Sequence, residues 1–137
     1  MPIRSLRQHR QVSARAEART CYDHLAGRRG VELRERLLAT GALQPIDERD
    51  HGLTAHGERL IADLDIDLDQ LRSARRIFAR SCLDWTQRQP HVAGTLPAAV
   101  TNTFLARGWL ERSSGRGLRL APGYDQHLDR WLAPSNR

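Results

Sequence analysis

No lysine occurs among the 137 residues: all 22 residues of the Lys/Arg class are arginine, so every permanently charged side-chain cation is a guanidinium. Such groups pair bidentately with carboxylates and phosphates. No run approaches the roughly 20 apolar residues that a membrane span requires. The opening stretch MPIRSLRQHR has no apolar core of the kind a secretory signal carries. Cysteine is scarce, with two residues, and aromatics make up only 5% of the chain. Two cysteines without an export signal exclude a disulfide-stapled scaffold and indicate a reducing, cytoplasmic setting. With so few aromatics, Trp85, Trp109, Trp131, Tyr22 and Tyr124 read as core residues rather than a base-stacking platform.

The formal charge is +6, unevenly spread. Arginines crowd the first 29 residues, where only Glu17 and Asp23 oppose them. Arg72, Arg75, Arg76 and Arg80 follow one another without an acid, directly after the acidic run Asp63, Asp65, Asp67 and Asp69. Arg4, Arg7, Arg10, Arg72, Arg75 and Arg76 are the candidates for nucleic-acid contact. A solvated basic face is the commoner meaning of such a pattern.

Both cysteines lie in related blocks, RTCYDHLAG at 19–27 and RSCLDWTQRQPHVAG at 80–94. The likeness continues downstream: Gly27 and Gly94, Gly41 and Gly108, and Leu53 and Leu120 share one offset of 67 residues. A constant self-offset marks a duplicated unit. Leu33, Leu37 and Leu38 recur at helical spacing and Gly41 stops that helix. Asp50 to Gly52, and Ser113 to Gly117, punctuate short hairpins, and Thr54 is placed to cap the next helix. The expected fold is mainly α with short β-hairpins: two tandem winged-helix-like repeats joined by helices. Its divisions are an N-terminal helix at 1–26, a first repeat at 27–68, a linking helix segment at 69–93 and a second repeat at 94–137. Each unit reads helix, helix, hairpin, helix.

The blocks admit a metal reading and a packing reading. Cys21 and His24, three apart on a helix, would chelate one ion, with Cys82 and His91 completing a Cys2His2 set if the copies face each other. Against this, nine residues separate Cys82 from His91, and Trp85 takes the place that His24 has in the first copy. The packing reading is preferred: each cysteine buried in a helical seam, with Arg19 and Asp23, and Arg80 and Asp84, forming clasps within a helix or across the copies. No cofactor is expected on that reading; zinc or another transition metal belongs to the alternative. Catalysis is weaker, because Cys21 and Asp23 would diverge around a helix and nothing suggests an oxyanion site.

The block Cys21 to Gly27, with a Gly-Val-x-Leu helix after it, followed by Cys82–Leu83–Asp84–Trp85, His91, Ala93 and Gly94, resembles the C-terminal half of bacterial ArsR-type winged-helix transcription regulators. The resemblance covers about Arg19 to Leu132. It implies effector sensing, dimerisation or both, with DNA bound through an N-terminal winged helix that this sequence lacks, or only weakly through its own arginine clusters. The expectation is thus a homodimeric, non-enzymatic regulatory region responding to a small effector. The alternatives are a metal- or redox-responsive module using Cys21 and Cys82, and a small basic DNA-associated protein.

Overall fold

The computed structural model describes residues 13–134. A short helical stretch at 13–17 leads into a hairpin of β1 (Arg19–Cys21) and β2 (His24–Ala26), then α1 (Arg28–Ala39). A second hairpin, β3 (Leu43–Pro45) and β4 (His51–Leu53), precedes α2 (Ala55–Asp63) and the short α3 (Leu68–Ser73). The third hairpin, β5 (Arg80–Asp84) and β6 (Gln89–Ala93), leads to α4 (Thr95–Ala106). The fourth, β7 (Leu110–Arg112) and β8 (Leu118–Leu120), leads to α5 (Tyr124–Leu132). Each hairpin is its own two-stranded antiparallel sheet.

The fold is therefore mixed, not mainly α, and it does not consist of winged helices: 43% of the described residues are helical and 25% lie in strands, an ordinary strand share for a mixed domain. A winged helix needs a pair of helices ahead of its wing. Here the expected N-terminal helix at 1–26 and linking helix segment at 69–93 keep only short helical stretches among the described residues, at 13–17 and in α3, and otherwise give way to the hairpins at 19–26 and 80–93. Residues 1–12 lie outside the described residues. The physical reason sits in the turns. Tyr22 has φ 62° and Arg88 has φ 55°; a left-handed residue ends a right-handed helix and suits a tight hairpin turn. Ala18 and Leu25 are buried, but from a bend and a strand rather than a helix.

Hairpin–helix–hairpin–helix thus occurs twice, at residues 19–63 and 80–132. The two halves share one core. α1 packs on β6 of the second half, α4 packs on β2 of the first, and β2 and β6 touch. Leu25, Leu33, Leu37, Val92, Leu96 and Val100 fill this junction, leaving a cavity of only about 20 Å³, room for about one water molecule. At the far end Phe104 is fully buried, with Trp109 and Trp131 rings 4.8 and 5.7 Å from its own. The Trp131 indole donates to the Leu60 carbonyl at 2.8 Å and ties α5 to α2.

Local sequence explains the punctuation. α1 ends at Gly41 with Gly41 N–H donating to Leu38 and Ala42 N–H to Leu37; α4 ends in the same way at Gly108, with bonds to Leu105 and Phe104. These are Schellman ends, which need a left-handed residue after the cap. The Thr54 hydroxyl accepts from Gly57 N–H and caps α2. Trp109 and Trp131 are core residues as expected, but Tyr22 and Trp85 are 74% and 73% exposed on the hairpin tips.

Candidate functional site

The two N-terminal hairpins of the halves meet at β2 and β6. Antiparallel pairing places residues directly opposite each other on the same face. In the first hairpin Cys21 pairs with His24, and in the second Cys82 pairs with His91. Only Tyr22 and Asp23 separate the first pair, whereas Leu83 to Pro90 separate the second. The second hairpin is simply longer at its tip. His91, not Trp85, is therefore the counterpart of His24, and the asymmetry that the linear sequence suggests vanishes in the register.

The donor atoms of Cys21, His24, Cys82 and His91 all lie within 4.8 Å of one another. The two imidazole Nε2 atoms are 3.0 Å apart. Both rings are buried, at 4% and 1% exposure, while both cysteines are partly exposed free thiols. The thiols do not sit in helical seams. An open groove lined by Tyr22, Arg76, Ile77, Ser81 and Cys82 runs beside them.

A carboxylate stands behind each histidine. Asp84 Oδ1 lies 3.2 Å from His91 Nδ1, and Asp23 Oδ1 lies 3.6 Å from His24 Nδ1. Neither approach is a well-aligned hydrogen bond, and both Nδ1 atoms are buried without a partner. Burial, then the neighbouring His24, push the His91 pKa down to about 4 in spite of Asp84. Burial also lowers His24, against the pull of Asp23. Both rings are therefore neutral at pH 7. Burial and the adjacent Cys21 raise the Cys82 thiol.

Asp84 is the fixed point of the cluster. It is fully buried and receives Arg19 Nη2 at 2.9 Å, Gly27 N–H at 2.7 Å and Thr86 N–H at 3.0 Å. Burial alone would raise its pKa; the Thr86 hydroxyl, the Gly27 N–H and Arg19 overcome this and hold it at about 2. Gly27 must be glycine to reach it, since its φ is +79° and an added Cβ would lie 2.8 Å from the Ala16 carbonyl oxygen.

The expected clasps within helices are absent because the helices are. Arg19 pairs with Asp84 across the halves. Asp23 instead receives Arg76 at 2.7 Å, and Arg80 pairs with Asp50 at 3.0 Å. Of the candidate nucleic-acid contacts, Arg4, Arg7 and Arg10 lie outside the described residues. Arg72 is paired with Glu58 at 2.8 Å and Arg76 with Asp23, while Arg75 is exposed beside the groove. The supporting roles of Asp50 and Thr86 have no signal in the sequence, because each depends on which hairpin faces which.

Compared with known proteins, the chain is 36% identical over 132 residues, 93% of its length, to an uncharacterized HTH-type transcriptional regulator, YdfF, of Bacillus subtilis (strain 168). The chain spans 58% of that protein's length. No family model matches the chain, and no solved structure matches it. No helix among the described residues is long and apolar enough to cross a membrane.

Proposed function

We propose that this chain is the regulatory region of an ArsR-type transcription regulator, serving effector sensing, dimerisation or both, with DNA read by a separate part of the protein. The observation that carries this reading is a mismatch: the relative is of HTH type, yet the described residues present no helix pair suited to a DNA groove. Among them, the only place where one helix follows another across a short turn is α2 to α3. There the second helix has six residues and none buried, opens on Asp67 and Asp69, and has its Arg72 paired with Glu58. A recognition helix needs base-reading side chains and free cations toward phosphates. α4 is equally unsuited, with Leu96, Val100, Thr101 and Phe104 turned into the core.

The same pairing of Arg72 and Arg76 with acids argues against the reading of a small basic DNA-associated protein. The cavity between the halves, about 20 Å³, is too small to enclose an organic effector, which favours an ion or a surface ligand. The test is selection of bound duplexes from a random DNA pool by the purified chain. The reading expects no motif to be enriched and any retention to disappear at moderate salt. Enrichment of one motif that survives physiological salt would overturn it.

A further inference from the structure

We propose that Cys21, His24, Cys82 and His91 form a four-ligand site for one divalent ion of the zinc class, held between the two hairpins. The inference does not depend on the regulatory reading. Three observations carry it.

The first is geometric. Four donors of the right kind, two thiols and two imidazoles, converge within 4.8 Å. Tetrahedral zinc with Zn–S of about 2.3 Å and Zn–N of about 2.0 Å sets its ligand atoms roughly 3.3–3.8 Å apart. Seating an ion needs a small opening of the 3.0 Å Nε2 separation and a closing of about 1 Å across the widest donor separation of 4.8 Å. The donors come as two cross-strand pairs from two hairpins, so each hairpin supplies one sulfur and one nitrogen. Tetrahedral S2N2 sets select zinc among the common divalent ions.

The second is the surroundings of the histidines. Their Nε2 atoms face each other at 3.0 Å, while both Nδ1 atoms face carboxylates, His24 toward Asp23 and His91 toward Asp84, and are buried without a hydrogen-bond partner. With an ion on both Nε2 atoms, each ring puts its proton on Nδ1, directed at its own aspartate. A histidine ligand backed by a carboxylate is the usual outer arrangement of such centres. Arg19, Gly27 and Thr86 already fix Asp84 for that role.

The third is access. Both cysteines are partly exposed, and Cys82 and His24 line the open groove beside Tyr22 and Ile77, so an ion reaches the site without unfolding. On binding, each S–H bond breaks, its proton goes to solvent, and a sulfur–metal bond forms. Two protons leave for one divalent ion, no electron is transferred, and the S2N2 centre is neutral.

The test is titration of the full chain with Co2+ under a non-thiol reductant, followed by displacement with Zn2+, alongside native mass spectrometry of protein purified without chelator. The expected result is one ion per chain, with the sulfur-to-cobalt charge-transfer and visible bands of a tetrahedral thiolate site, abolished by one equivalent of Zn2+. Cys21→Ser and Cys82→Ser should each weaken binding by on the order of a hundredfold or more, with circular dichroism unchanged, and the double variant should bind nothing. His24→Gln should lose the tetrahedral bands even if some thiolate binding persists. Failure of folded wild-type protein to bind Co2+ or Zn2+, or undiminished binding by the folded double serine variant, would overturn the site. Neither result touches the regulatory reading, which stands or falls with the selection from random DNA.

Discussion

Arg19 and Asp84 are 65 residues apart in sequence, and their side chains meet at 2.9 Å with both buried. This ion pair joins the first hairpin of one half to the tip of the corresponding hairpin in the other. It also lies directly behind His91. A buried carboxylate deprived of its cation keeps its desolvation cost, whereas an exposed pair contributes little. Arg19→Ala should therefore cost about 3 kcal/mol, with Gly27 and Thr86 still supporting Asp84. Arg80→Ala, which breaks the half-exposed pair with Asp50, should cost less than about 1 kcal/mol. Urea midpoints for the two variants separate these values; equal midpoints would show that Arg19 is no more than a solvated cation.

Glycines at positive φ divide into two kinds. Gly41 has φ +76° with nothing within 4 Å of an added Cβ, while Gly94 has φ +123° and would place that atom 2.5 Å from the Phe78 carbonyl oxygen. Gly41→Ala should cost about 1 kcal/mol, the left-handed strain alone. Gly94→Ala adds a clash with backbone that cannot yield, and should cost at least about 3 kcal/mol. Thermal or urea unfolding of the pair checks the order.

Tyr124 buries its hydroxyl without a hydrogen-bond partner, and its ring packs edge-on to Phe104. Removing an unsatisfied buried hydroxyl while keeping the ring stabilises. Tyr124→Phe should raise stability by about 1 kcal/mol. A loss of stability would mean the hydroxyl is satisfied by an ordered water.

His51 is 4% exposed, with Arg34 Nη2 3.3 Å from its ring. Burial, then Arg34, lower its pKa, against the opposing pull of Asp50 and Asp47. The unfolded chain therefore takes up this proton first as pH falls, so the stability present above the ordinary histidine value near 6.5 is lost progressively below it. His51→Gln should flatten part of the decline in urea midpoint between about pH 7 and 5. A variant with the same slope as the parent would show that His51 does not contribute to that decline.

Much of the second part of each half is legible from sequence. Apolar spacing at Leu33 and Leu37 marks α1, Gly41 marks its end, Thr54 marks the start of α2, and the polar runs mark the hairpins at 43–53 and 110–120. The first part is not. Residues 19–26 and 80–93 are short, and three- or five-residue strands give too few alternations to outweigh a chance helical seam. Reading them as helix displaces everything that depends on them. It makes Cys21 and His24 helix neighbours instead of partners across a strand, gives the arginines the wrong acids, and aligns Trp85 where His91 belongs. The four site residues themselves are visible as a set, because each of the only two cysteines shares its sequence block with a histidine. Their convergence is not, because it depends on two hairpins being packed together by helices that cross between the halves.

The register of those hairpins and the ion they are placed to hold are tested together by zinc K-edge X-ray absorption on the zinc-loaded chain. The proposed site predicts a first shell of two sulfurs at about 2.3 Å and two nitrogens at about 2.0 Å, with the outer-shell scattering of two imidazoles. A shell of nitrogen and oxygen only, or of sulfur without imidazole, would contradict it.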